Sequence, residues 1–184
     1  MQIDAVTETP FRILVLCTGN SARSQIAEAI LHTRGLKRPA GVVEAQSAGT
    51  KPAAKISEYA VMHLSMHGIS WGRHAPKDVK ALKDARFDLV ITVCDDAQKD
   101  CPLYPNTRAQ VHWGLPDPAV HISPSTARAA FAATYDALVK RINALLRLPL
   151  ETMDDATLKK EAQSIHDNLA APPQRSSAGL RRWR

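Results

Sequence analysis

Apolar positions along the chain fall into two alternating patterns. Residues 12–17 (Arg-Ile-Leu-Val-Leu-Cys) form a short apolar run followed by the turn residues Gly19 and Asn20, as a buried strand requires. In residues 24–32, Ile26, Ala27 and Ile30 recur at helical spacing, and Gly35 is expected to close that helix as its C′ residue. Residues 41–47 read as a second strand and 56–67 as a helix ended by Gly68. Residues 76–85 read as a shorter helix with Pro76 at its first position. Residues 88–93 (Asp-Leu-Val-Ile-Thr-Val), rich in β-branched side chains, give the strongest strand signal, and 110–113 a fourth strand. Ser123-Pro124 then opens a long helix carrying Ala127, Phe131, Leu138, Ile142 and Leu145 at helical intervals, until Pro149 stops it.

Strands alternating with helices predict an α/β fold in which a parallel sheet is covered on both faces. Ligands of such sheets bind beyond the carboxyl ends of the strands. Cys17, Cys94 and the segment 113–117 all lie at or just past the end of a predicted strand, so they should share one rim. After Pro149 the pattern narrows. Thr152-Met-Asp-Asp155 fits a capping box, and Leu158, Ala162, Ile165 and Leu169 form a thin apolar stripe. The chain is therefore divided into a domain over 11–149 and an addition over 150–184, an amphipathic helix and a loose tail. Residues 151–167 hold five acids against two lysines, whereas the tail from Ala171 carries Arg175, Arg181, Arg182 and Arg184 and no acid.

Composition adds limits. At 184 residues the chain buries a sizeable core without metal or disulfides. Three cysteines exclude a fully paired secreted framework. Residues 1–10 show no basic, apolar signal pattern, and no apolar run approaches a membrane span. A reduced cytoplasmic compartment is expected, where spaced cysteines tend to be catalytic or metal-binding. The net charge of +6 invites nucleic acid or small anions without choosing between them.

The chemistry gathers in Cys17-Thr18-Gly19-Asn20-Ser21-Ala22-Arg23, a C-x5-R pattern between a strand and a helix. Backbone N–H groups there can curl around a tetrahedral anion at a helix N-terminus. The same field is expected to lower the Cys17 pKa and make it a thiolate nucleophile. Arg23 offers a planar fork to two oxyanion oxygens. Ser21 and Ser24 can donate to the thiolate or brace the loop, while Gly19 and Asn20 tolerate positive φ. Asp117, stiffened by Pro116 and Pro118, can protonate a leaving oxygen, although Asp-Pro also starts ordinary turns.

Cys94 and Cys101 lie seven residues apart, with neither a C-x2-C pair nor histidines to complete a metal site. A thiol relay fits better. If residues 95–101 are helical, the separation is about 10.5 Å, beyond the roughly 7 Å between Cα atoms that a disulfide allows. Bridging them would need the segment to unwind, a redox switch; two unrelated buried thiols are the alternative. His63 and His67 stand four apart on a helix, but Leu64 occupies the position where a zinc peptidase needs glutamate, so surface histidines are expected.

Four ordered motifs carry a resemblance: Cys17 through Ala29, Ser47-Ala-Gly49-Thr50, Cys94-x6-Cys101-Pro102, and His112-Trp-Gly-Leu-Pro-Asp117-Pro118. Together they resemble the thioredoxin-coupled arsenate reductases, relatives of the low-molecular-weight protein tyrosine phosphatases, over about residues 11–147. The resemblance implies a four-stranded parallel sheet flanked by helices, with no cofactor. It implies that Cys17 attacks arsenate and Asp117 protonates the departing oxygen. Cys94 then attacks Cys17 and displaces arsenite, Cys101 attacks Cys94, and thioredoxin reduces the disulfide. Members with a potassium site use residues matching Asn20, Glu28 and Ser47 plus an acidic residue near 74–77. Here Lys77 falls at that position, and its ammonium is expected to replace the ion.

Rival readings stay open. A phosphatase of this family acting on phosphotyrosine or small phosphate esters would share the loop, but it usually sets an aromatic residue beside the acid, where this chain has Ala119-Val120. Glutathione- or mycothiol-coupled reductases share it too. A nucleic-acid binder is disfavoured by a 5% aromatic content and by basic charge concentrated in the tail.

Overall fold

The computed structural model describes residues 9–94, 104, 107–120 and 123–170. Four strands form one sheet: β1 (Phe11–Cys17), β2 (Val43–Gly49), β3 (Phe87–Thr92) and β4 (Thr107–His112). All pairings are parallel, in the order β2-β1-β3-β4. The helices are α1 (Arg23–Gly35), α2 (Glu58–Met66), α3 (Pro124–Leu146) and α4 (Asp155–Ala170). Parallel strands need crossovers, and α1 supplies the one from β1 to β2.

Alternation along β1 divides the core. Ile13 and Val15, with Leu89, Ile91, Ala109 and Val111 from the neighbouring strands, pack against Ile26, Ile30, Phe131, Leu138 and Ile142 of α1 and α3. Leu14, Leu16 and Val90 point the other way, toward Val79, Phe87 and Tyr104. Register then sets the rim: Cys17 pairs with Gly49, Leu16 with Thr92, and Thr92 with His112. One edge therefore carries the residues after Cys17, Thr92 and His112.

The structure departs from the pattern reading in several places. Gly35 is the last residue of α1, not a left-handed C′ residue. Its role is close packing, since a Cβ there would stand 2.6 Å from the Val43 carbonyl oxygen. Residues 76–85 form only a single 3-10 turn, Val79–Leu82. The preceding backbone is held extended: Lys77 N–H donates to Asn20 Oδ1 at 2.7 Å, and Gly49 N–H to the Lys77 carbonyl at 2.8 Å. Helix α4 is capped by Asp154 instead of Thr152, its carboxylate accepting from Thr157 N–H and hydroxyl at 2.9 and 2.8 Å. His63 is buried at 9% exposure, against expectation, because its ring packs on Tyr135 of α3.

The residues after Pro149 do form a helix, and it docks on the outer side of β4. Leu158 and Ala162 are buried, and Arg108 on β4 pairs with Asp155 at 2.8 Å. Covering an edge strand in this way removes a row of open hydrogen-bonding groups. Residues 171–184 and the relay segment 95–103, including Cys101, lie outside the described residues.

Candidate active site

Cys17 closes β1, and the chain turns through Asn20, a non-glycine residue with φ of 47°, before α1 begins at Arg23. Gly19 does not take that conformation. Asn20 is fully buried and tolerates the left-handed geometry because its side chain is saturated with partners. Its Nδ2 donates to Ser24 Oγ at 2.8 Å and Ser47 Oγ at 2.7 Å. Its Oδ1 accepts from Gln25 Nε2 at 3.0 Å and from Lys77 N–H. Gly49 lets β2 approach the loop, for a Cβ there would meet the Thr18 carbonyl oxygen at 2.5 Å.

This network extends outward. Gln25 Oε1 accepts from the indole of Trp71 at 2.7 Å, and Trp71 stacks on His74 at 3.6 Å between ring centres. Ser47 Oγ donates to Glu28, whose carboxylate also holds Lys77 Nζ at 2.9 and 3.2 Å. Of the residues of the potassium site implied by resemblance, Glu28 thus pairs with the Lys77 ammonium, while Asn20 and Ser47 are bonded to each other. Gln25 lies within the first motif but carries no role in the sequence pattern, and nothing local marks Trp71.

The thiols are close to one loop. Cys17 Sγ lies 2.9 Å from Ser24 Oγ and accepts from Asn20 N–H at 3.1 Å. Burial nevertheless pushes the Cys17 thiol up, outweighing those two donors, and nearby Cys94 adds to the rise. The expected lowering is therefore overturned: the helix-terminus donors act as foreseen, but desolvation is larger. Cys94 follows β3 and is also buried. Its Sγ accepts from Thr18 N–H at 3.3 Å and lies 3.4 Å from the Thr18 hydroxyl. Thr18, the residue after the first cysteine, is thus in contact with the second.

On the opposite side stands Asp117, its side chain 41% exposed. Arg23 bridges to it, with Nη2 at 3.2 Å from Asp117 Oδ2 and Nη1 donating to the Leu115 carbonyl at 2.8 Å. Asp117 also accepts from Ala119 N–H at 3.0 Å, so it fills the turn role as well. Cys17, Gly19, Ser21, Ala22, Arg23 and Asp117 line a cavity of about 270 Å³ at the rim. The structure brings Cys17, Arg23, Cys94 and Asp117 together, with Ser21 and Ala22 on the loop wall. Such an arrangement can cradle a tetrahedral oxyanion, attack it from below and protonate it from above.

The low molecular weight phosphotyrosine protein phosphatase family matches the chain over residues 12–164. An arsenate reductase of Halalkalibacterium halodurans is 34% identical over 131 residues, covering 71% of this chain and 91% of the relative. Among solved structures, the arsenate reductase of Archaeoglobus fulgidus superposes with a TM-score of 0.54 at 27% identity, covering 71% of this chain and 98% of the other. A thioredoxin-dependent arsenate reductase of Corynebacterium glutamicum gives a TM-score of 0.58 at 26% identity, covering 80% of this chain and 66% of that one.

Proposed function

The chain belongs to the low molecular weight phosphotyrosine protein phosphatase family, and from that premise we propose that it reduces arsenate to arsenite by a cysteine relay. The observation that carries the reading is Cys94, a second thiol in contact with both the N–H and the hydroxyl of Thr18, within the nucleophile's loop. A hydrolase needs water at that place. A reductase needs a thiol.

Arsenate enters the cradle of residues 18–24, and Arg23 turns its fork from Leu115 and Asp117 to two arsenate oxygens. Cys17 sulfur attacks arsenic while Asp117 gives its proton to the departing oxygen, which leaves as water. The Cys17 thiol passes its proton to an oxygen of the bound oxyanion as its sulfur attacks. Cys94 sulfur then attacks Cys17 sulfur. A disulfide forms, the sulfur–arsenic bond breaks, and its electron pair stays on arsenic, which leaves as arsenite. Cys101 attacks Cys94 and frees Cys17, so two thiols supply the two electrons. Thioredoxin reduces the Cys94–Cys101 disulfide, a reading supported by similarity to a relative described as thioredoxin-dependent.

The phosphatase reading shares every step before Cys94 acts. It is weakened by the residues after the acid, Pro118, Ala119 and Val120, which offer no ring to stack on a phenol. Wild type and Cys94→Ser, assayed together, decide between them. Multi-turnover arsenite formation with thioredoxin should vanish in the variant while hydrolysis of an aryl phosphate persists. Equal loss of both activities, or a wild type inert toward arsenate, would sink the reductase.

A further inference from the structure

The proton donor of this site stands on a loop that is anchored from outside the sheet. Strand β4 is the edge of the sheet, and His112 is its last residue. Gln163 of α4 treats His112 as a neighbouring strand would. Its Oε1 accepts from His112 N–H at 2.9 Å, and its Nε2 donates to the His112 carbonyl at 3.0 Å. A side-chain amide has the donor and acceptor of a peptide unit, so one residue closes both open backbone groups at the strand's end. Asp167, one turn later on α4, accepts from the same Nε2 at 3.0 Å and fixes which way the amide faces.

The next residue is held by the same helix. Trp113 is almost fully buried, and its indole N–H donates to the Ala162 carbonyl at 2.9 Å. From there the chain reaches Asp117 through Gly114-Leu115-Pro116, with Pro118 following. Two prolines in that stretch restrict the backbone on both sides of the acid. Leu115 N–H is tied to the Val93 carbonyl at 3.2 Å, and the Leu115 carbonyl accepts from Arg23. The segment from His112 to Asp117 is thus short and restrained at several points, with Trp113 N–H also donating to the Thr92 carbonyl at 2.8 Å, so the end of β4 bears on where the carboxylate stands. Leu158 and Ala162 cover the strand with apolar contact, and the Gln163 amide pairs the two backbone groups at His112 that such contact cannot satisfy.

We propose that Gln163 is a positioning residue for the proton donor: α4 clamps the end of β4 and so sets where Asp117 stands over the anion cradle. The inference rests on the reading of Asp117 as the proton donor. It concerns proton transfer and leaves anion binding to the loop of residues 18–24, which Gln163 does not touch.

The test is a double-mutant cycle between Gln163→Ala and Asp117→Asn, run on arsenate turnover with thioredoxin and, in parallel, on hydrolysis of an aryl phosphate. Gln163→Ala should lower kcat/KM about tenfold, as misplacement of a catalytic group does. Its inhibition constant for inorganic phosphate should stay within about twofold of wild type. In the Asp117→Asn background the same substitution should change kcat/KM less than about twofold, since the group it positions is gone. An equal loss in both backgrounds, or phosphate binding lost together with turnover, would overturn the clamp and leave α4 a merely structural cover. Gln163→Glu, which keeps the acceptor for His112 N–H, serves in the same cycle if the alanine variant does not fold. A wild type that hydrolyses the aryl phosphate but not arsenate would fail the reductase reading alone. An Asp117→Asn enzyme as active as wild type on both substrates would remove the proton donor and the clamp together.

Discussion

The two walls of the site are built differently. The cradle wall is a buried lattice in which Asn20, Ser24, Gln25, Ser47, Glu28 and Lys77 satisfy one another, backed by Trp71. The acid wall is open. Asp117 is partly exposed and paired with Arg23, and α4 is bonded to His112 at the end of the strand that leads to it. The cradle residues are locked by hydrogen bonds that are costly to leave unmade, while the Asp117 carboxylate stays near solvent, as the proposed proton donor would need. Damage to the first wall should cost folding and binding together. Damage to the second should cost turnover with little loss of stability.

The largest break is expected at Asn20. Asn20→Ala strips four side-chain hydrogen bonds and puts alanine at a left-handed φ, so it should cost about 3 kcal/mol of stability and reduce turnover by a factor on the order of a thousand. Denaturant unfolding and kcat/KM check both. Arg23→Lys keeps the charge but loses the fork, and should lower kcat/KM about a hundredfold with stability changed by less than ~1 kcal/mol. If it unfolds the protein as Asn20→Ala does, the contrast between the walls is wrong. Lys77→Met leaves the buried Glu28 carboxylate without its cation and should cost about 2 kcal/mol, below the usual figure for a fully buried pair because the lysine is partly exposed. Its turnover should fall less than about tenfold. Wild-type turnover should not depend on potassium; a clear dependence would show that Lys77 does not stand in for the ion.

The smallest effect concerns acid. His166 of α4 accepts from buried Arg141 of α3 at 3.1 Å, and burial followed by the Arg141 charge holds its pKa below the ordinary histidine value. His63, between α2 and α3, is lowered chiefly by burial and also by His67, with Asp136 opposing. Between the ordinary value and the lowered one the unfolded chain binds more protons than the folded one. Stability is therefore complete above about pH 6.5 and falls as the pH drops toward the lowered folded values. Thermal melting from pH 7.5 to 5 should show that slope, and His166→Gln should flatten part of it. Amide exchange then tells which wall yields first. Earlier opening of α4 than of α1 on acidification is the outcome that the acid wall's construction requires.

Much of this was legible in the chain. Strand runs at 12–17 and 88–93, and the long helix opened by Ser123-Pro124, fall within a residue or two of β1, β3 and α3, because buried parallel strands and a capped helix leave dense local signals. Residues 76–85, whose pattern is that of a helix, show the limit. Its proline and its apolar spacing are helical, but Asn20, nearly sixty residues earlier, claims the Lys77 N–H, and no window along the sequence contains that competitor. The role of Gly35 is hidden for a similar reason: the residue it makes room for, Val43, belongs to the next strand.

By itself, then, the sequence determined an α/β chain with its reactive side chains at strand ends, because periodicity and residue chemistry are local properties. Tertiary structure alone decided the rest. It put Thr18 against Cys94, buried Cys17, paired Lys77 with Glu28, and bonded Gln163 to the end of β4. Each of these is a contact or a burial between residues distant in the chain, and such terms exist only once the backbone has closed on itself.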